Sequence, residues 1–201
     1  MDDDCRCQYD RSMKNRIPPR SVLGSASIVC LREPVSADCD EFIKLNRQSI
    51  HFYKGLVSPI VTPQHFANYI NQCNRDDFEA IFVCRKEDGC IVGAINLSQI
   101  VRGVFKSAYL GYQVGAAFAG HGYMTEGIWL VLRRAFGAMR LHRLEANIQP
   151  FNMASIALVK RAGFKKEGYS PRYLKINGRW RDHERWALLA EDWRLTTRRD
   201  Q

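Results

Sequence analysis

The stretch Tyr109-Leu-Gly-Tyr-Gln-Val-Gly-Ala-Ala-Phe-Ala-Gly-His-Gly-Tyr-Met-Thr-Glu126 decides how this chain is read. Its pattern is a strand, then a glycine-bearing loop, then a helix start that continues through the amphipathic run from Gly127 to Met139. Gly120 and Gly122 remove side chains where the helix begins. Unpaired backbone N–H groups and the positive end of the helix dipole are thereby open to an anion at close range. A plain strand-to-helix turn uses glycine in the same places for its dihedral angles, so the neighbouring sequence decides between the two readings.

On the N-terminal side, Ser107 to Val114 is the third strand of an antiparallel meander. Phe78 to Arg85 and Cys90 to Ser98 are the first two, joined by the turn Lys86-Glu-Asp-Gly89. Upstream, Thr62-Pro63 caps a helix whose buried side carries Phe66, Tyr69 and Ile70. Residues 51 to 61 are aromatic and broken by Gly55 and Pro59, which predicts a loop whose rings either line a binding site or pack beneath it. Ser36 is placed as N-cap of an earlier helix running to about Ser49, with Asp38 and Asp40 in its first turn and Phe42, Leu45 and Ile50 at helical spacing. Ser27 to Arg32 reads as the first strand. Residues 1 to 25 show no apolar period and read as a mobile arm, which leaves 26 to 194 as the domain and 195 to 201 as a tail.

On the C-terminal side, Arg143 to Ile148 is a short strand ended by Pro150. Asn152 caps a helix through Ala162 that Gly163 closes. Phe164 to Ile176 and Arg179 to Leu189 pair across Asn177-Gly178, the strongest hairpin signal in the chain. This order predicts an α/β domain with a mixed sheet, its ligand held where neighbouring strands part, beside the helix beginning near Gly122.

Composition sets the outer bounds. A chain of 201 residues, 46% hydrophobic, supports one well-buried core. No apolar run reaches membrane-spanning length, and Asp2-Asp-Asp4 is unlike an export leader, so a soluble cytoplasmic protein is expected. Seven cysteines, at 5, 7, 30, 39, 73, 84 and 90, lack any Cys-x-x-Cys spacing and read as reduced thiols without a metal. The net charge of +9 favours an anionic ligand or an RNA-rich neighbour, although the basic residues are dispersed.

Against this background, Ala119-Gly-His-Gly-Tyr-Met-Thr-Glu126 resembles the coenzyme A loop of the GNAT N-acetyltransferase family, whose usual pattern is Gln/Arg-x-x-Gly-x-Gly/Ala. Gly122 matches, whereas Ala119 stands for Gln or Arg and Met124 for Gly or Ala. Met followed by Thr-Glu is similar to the Rim-type branch, the ribosomal-protein N-terminal acetyltransferases. Val101-Arg-Gly-Val-Phe-Lys106 is similar to its RimJ-like alanine acetyltransferases. Ala108 to Gly115, Asn152-x-x-Ser155, Ala162 to Gly168 and Tyr173 to His183 match in order, so the resemblance spans residues 28 to 193.

The resemblance implies a single domain with a twisted, mostly antiparallel sheet flanked by helices, its splayed central strands holding coenzyme A. It implies that backbone groups of Tyr112, Gln113 and Val114 pair with the pantetheine arm. Gly120, His121, Gly122, Tyr123, Met124 and Thr125 would hold the pyrophosphate, a lysine being common where His121 falls, and Asn152 would contact the coenzyme arm. The tyrosine that many members use to protonate the leaving thiolate falls on Val159, so Ser155 takes the donor role, the alternative being an ordinary first-turn serine. The usual carboxylate falls on Asn147. Glu145 lies two residues earlier on the same face, either as a base acting through a water or as a salt-bridge partner of Arg143. Asp182 and His183 match residues typical of the branch and are read as structural.

The implied reaction is acetyl transfer from acetyl-CoA to an amine, without a metal, most readily the α-amine of a protein N-terminus such as that of a ribosomal protein. A small amine as acceptor, or a coenzyme-binding module without turnover, is the alternative.

Overall fold

In the computed structural model, residues 22 to 193 are described, and the apolar residues of their strands alternate between two faces claimed by different helices. The elements are β1 (Val22–Ser25), β2 (Val29–Arg32), α1 (Cys39–Gln48), α2 (Pro63–Gln72), β3 (Phe78–Arg85), β4 (Ile91–Val101), β5 (Ser107–Val114), α3 (Tyr123–Phe136), β6 (Arg143–Ile148), α4 (Met153–Arg161), β7 (Lys165–Ile176) and β8 (Arg179–Leu189). One sheet runs in the order β1-β2-β3-β4-β5-β6-β8-β7. Every neighbouring pair is antiparallel except β5 with β6.

One sheet face meets α1 and α2, where Phe82, Cys84 and Ala94 pack with Phe42, Phe66 and Tyr69. The other meets α3 and α4, where Ile81, Val83, Ile95, Leu110 and Leu144 pack with Ile128, Val131, Leu132, Ile156 and Val159. Period-2 strands and period-3.6 helices bury complementary stripes here, which is why the element types are legible in the sequence. Among the described residues, no helix is long and apolar enough to cross a membrane.

Four boundaries depart from expectation. Val22–Ser25 lies inside the segment read as an arm, yet pairs with β2 as an edge strand; four residues carry no period of their own, and the pairing is tertiary. The first helix is entered through a 3-10 turn, Ser36–Asp38, and Ser36 is not its cap. Instead the Asp38 carboxylate accepts the Val35 N–H at 2.7 Å while Arg32 grips it at 2.7 and 2.8 Å. Ile50, expected on the buried side, lies past the end of α1 and is exposed. α3 begins at Tyr123, beside Gly122 as expected, but stops at Phe136 before Gly137, short of Met139 where the amphipathic run ends. The remaining parts of the predicted arm and tail lie outside the described residues.

The feature that positions a site is the failure of one ladder. β5 and β6 are paired only from Ser107↔Arg143 to Tyr109↔Glu145. Above that, β5 runs on to Val114 paired with β4 alone, and β6 runs on to Ile148 paired with β8 alone. The two central strands diverge into a V-shaped gap whose vertex is the Tyr109–Glu145 pair.

Candidate active site

The rim of the gap on the β5 side follows from strand geometry. The Gly115 N–H bonds to the Val92 carbonyl at 2.9 Å. This sets the phase of the antiparallel ladder: Gly115, Gln113 and Gly111 aim their backbone groups at β4, and Val114, Tyr112 and Leu110 aim theirs away from it. Above the vertex, away from β4 means into the gap. The Val114 carbonyl there accepts the Tyr53 hydroxyl at 2.9 Å. Tyr112 and the Val114 N–H thus offer a strand edge to an extended, amide-bearing ligand. Gln113 does not share this edge. Its backbone serves β4, and its side chain donates to Asn46 Oδ1 at 2.9 Å, so of the three residues expected at the coenzyme arm it is the one turned away.

The loop after β5 is the candidate anion cradle. Gly120 and Gly122 have φ of +80° and +83°, and a Cβ on Gly120 would meet no atom within 4 Å. The demand for glycine there is one of backbone dihedral, not of crowding. Gly122 is the N-cap of α3 and no side chain caps it. The first intrahelical bond runs from the Glu126 N–H to the Gly122 carbonyl at 3.2 Å, which leaves the N–H groups of Tyr123, Met124 and Thr125 without an intrahelical acceptor. The Met124 side chain is buried beside Gly93, so this residue contributes backbone alone. His121 stacks on Tyr123 with ring centroids 5.9 Å apart, its Nδ1 bonded to the Ala119 carbonyl at 2.9 Å. Arg85, which sequence reasoning did not single out, lies over the Phe118 ring at 5.3 Å and pairs with Asp88. It brings a cation to the loop from the end of β3, a proximity that only the fold reveals.

α4 closes the other flank. Asn152 Oδ1 accepts the Ser155 N–H at 3.2 Å, the expected cap. The Tyr112 hydroxyl donates to the Ser155 backbone carbonyl at 3.3 Å. Burial pushes the Tyr112 phenol up to about 12. Val159, one turn on, is wholly buried in the core and brings no hydroxyl. The gap therefore has Tyr112, Asn152 and Ser155 together at one flank, a pairing of phenol and serine for which the sequence carried no local signal.

The opposite face of β6 carries Glu145 and Asn147. Arg143 Nε donates to Glu145 Oε1 at 2.8 Å, and the same guanidinium binds Glu167. Glu145 thus occupies the vertex as the salt-bridge partner foreseen in one of its two readings. Tyr109 is its partner across the vertex, and further along β8, past the register of β6, lies His183. His183 is buried, its ring edge-on to Tyr173, with Nδ1 against the Arg181 carbonyl at 2.9 Å. Burial lowers its pKa, so the imidazole is neutral and its hydrogen bond is structural, as Asp182 is through the Arg172 N–H at 2.7 Å. A roof covers this face. Gln149 Nε2 donates to the Gly55 and Leu56 carbonyls at 2.8 and 3.2 Å, and Ser58 Oγ donates to Asn177 Oδ1 at the β7–β8 hairpin tip at 2.7 Å. The aromatic loop divides accordingly, Tyr53 buried beneath it and Phe52 exposed.

With this geometry in place, comparison with known proteins is informative. Residues 29–165 match the family of acetyltransferase (GNAT) domains. A probable N-acetyltransferase of Bacillus subtilis, YjcK, is 36% identical over 129 residues, 64% of this chain and 71% of that relative. The ribosomal protein uS5 alanine N-acetyltransferase of Escherichia coli is 44% identical over 103 residues, which is 51% of this chain and only 53% of that enzyme. Among solved structures, RimJ of Mycobacterium smegmatis in complex with CoA-disulfide superposes with a TM-score of 0.76 at 25% identity, covering 89% of this chain and 91% of the other. The ribosomal-protein-S5-alanine acetyltransferase of Vibrio fischeri gives 0.75 at 25%, covering 85% and 97%.

Proposed function

The chain belongs to the GNAT acetyltransferase family and is an acetyl-CoA-dependent N-acetyltransferase, and from that premise we propose that its acceptor is the α-amine of a protein N-terminus, of the ribosomal-protein kind. One observation carries the reading: the acceptor side of the gap offers no strong base. Asn147 is a neutral amide, and the Glu145 carboxylate is engaged by Arg143. An α-amine, with an unperturbed pKa of about 8, is partly neutral at cellular pH, whereas a lysine side chain near 10.4 needs more help. The 44% identity to the alanine N-acetyltransferase supports the same choice, and a net charge of +9 suits an acceptor presented beside RNA in the cytoplasm.

Acetyl-CoA supplies an activated acetyl group as its thioester. Tyr112 and Val114 hold the amide-bearing arm along the β5 edge, the N–H groups of residues 120 to 125 hold the pyrophosphate, and Asn152 faces the arm from α4. Ser155 donates a hydrogen bond to the departing sulfur. Tyr112, protonated up to about 12, donates to the Ser155 backbone carbonyl and so fixes the first turn of α4, and the serine on it, at the gap. Glu145 collects the amine's proton through a water, a modest base matched to an acceptor that is already partly neutral.

The test is a comparison of alanine- and serine-initiated peptides with a panel of small amines as acceptors. Turnover of the peptides, abolished by Nα-blocking, is expected. Untouched peptides beside good turnover of a small amine would remove this assignment.

A further inference from the structure

Among the described residues, three buried polar atoms have no hydrogen-bond partner: Asn147 Oδ1, Gln149 Oε1 and Arg181 Nε. Asn147 lies on β6 and Gln149 just past its end, while Arg181 lies on β8 three residues beyond Glu184, the last residue in register with β6. Leu144, Ala146 and Ile148 face the α3–α4 core, so Asn147 faces the other way, opposite Arg185 in the β6–β8 register. Arg181 shares that face of β8 with His183 and Arg185 by strand alternation. Gln149 follows the end of β6, is 4% exposed, and gives both amide protons to carbonyls of the roof loop. Its two partners are both acceptors, so the amide orientation is fixed and Oε1 is the atom left over.

A buried polar group without a partner costs about 1–3 kcal/mol, and a native fold retains such groups chiefly where a ligand or water completes them. The set here has a definite polarity: two neutral oxygens that require N–H donors and one guanidinium N–H that requires an acceptor. An amine of a polyamine or of a lysine side chain presents donors alone. The N-terminal residue of a peptide presents an amine and, one carbon away, a carbonyl.

We infer that Asn147 and Gln149 receive the reacting α-amine through their amide oxygens while Arg181 Nε binds the carbonyl of the same residue, so that these three side chains select an α-aminoacyl acceptor. The inference rests on the peptide acceptor proposed above. Amide oxygens serve this purpose better than carboxylates would. A carboxylate in direct contact stabilises the ammonium and withholds the lone pair, whereas neutral oxygens, on a face where the Glu145 carboxylate is held by Arg143 and which also carries Arg181 and Arg185, favour the uncharged, nucleophilic amine.

Steady-state kinetics of the full chain with an alanine-initiated hexapeptide and with spermidine, on the wild type and the variants Asn147→Leu and Arg181→Met, test this. Acetyl-CoA affinity and Tm are measured on each protein. Asn147→Leu is expected to raise KM for the acceptor about tenfold or more, to leave acetyl-CoA affinity within about twofold, and to keep or raise Tm, because it replaces an unpaired buried oxygen with an apolar group. Arg181→Met is expected to raise KM for the peptide by a similar factor without changing that for spermidine, which has no carbonyl. An unchanged acceptor KM with a lowered Tm in Asn147→Leu would assign the orphan oxygen to a structural water and overturn the inference. So would a parallel loss of acetyl-CoA affinity, which would move Asn147 to the donor side. If the wild type acetylates spermidine and not the peptide, the peptide reading itself falls and Arg181 loses its role. The effect of Asn147→Leu on spermidine KM then still decides whether the amide oxygens receive an amine.

Discussion

Ser155 and Tyr112 stand 43 residues apart in the chain and meet at one flank of the gap. Replacing Ser155 with Ala is expected to lower kcat roughly 10- to 100-fold while acetyl-CoA affinity stays within about twofold, because the donor acts on charge that develops at sulfur during the reaction. Single-turnover rates with a peptide acceptor measure this, and an unchanged kcat would place the donor elsewhere. Tyr112→Phe leaves the ring and removes the hydroxyl, so a smaller fall of about 3- to 10-fold is expected by the same assay. Gly122 presents a different constraint. At φ +83° an added Cβ costs about 1–2 kcal/mol even though no side-chain neighbour crowds it. Gly122→Ala should therefore weaken acetyl-CoA binding about tenfold by tilting the N–H groups it precedes, read by calorimetric titration. The glycines were legible in the sequence because a left-handed residue needs a particular amino acid. The Tyr112–Ser155 contact was not, because neither residue type requires the other.

Two elements carry consequences of their own. The Asn152 cap satisfies one free N–H of α4, and Asn152→Ala should cost about 1 kcal/mol, seen as a lowered Tm in coenzyme-free protein. If Tm does not move, the side chain serves the ligand alone. The β7–β8 hairpin buries His183, and burial holds the imidazole pKa below its ordinary value of 6.5. The folded state then binds the proton less well than the unfolded state. The stability this implies is complete above about pH 6.5 and is lost as pH falls toward the folded pKa. Tm should decline as pH falls below about 6.5, and His183→Asn should flatten that decline; an equal slope in the variant would trace it to other groups. The hairpin, the meander and both capped helices could be read in advance, since turn and cap chemistry is local. Val22–Ser25 could not, since an edge strand of four residues is defined by the partner that accepts it.

For the molecule as a whole, the charge of +9 predicts that acetyl-CoA binding is salt-sensitive. Raising salt from about 50 to about 500 mM, which shortens the Debye length from roughly 14 to 4 Å, should raise KM for acetyl-CoA several-fold and affect a neutral acceptor peptide little. Equal sensitivity of both would locate the field on the acceptor side. The same scale shows where sequence reasoning stops. Periodicity, glycine, proline and cap residues act within a turn or two of the backbone, and they determined the element order, the glycine loop before α3 and the cap at Asn152. Whether a strand's backbone points into a gap depends on which neighbour its hydrogen bonds reach. That is why Gln113 was grouped with Tyr112 and Val114 until the ladder with β4 set the phase. The vertex at Tyr109–Glu145, the cation of Arg85 beside the loop and the unpaired atoms of Asn147, Gln149 and Arg181 are likewise products of tertiary structure. Each depends on long-range register and burial, and neither is encoded by any short stretch of the chain.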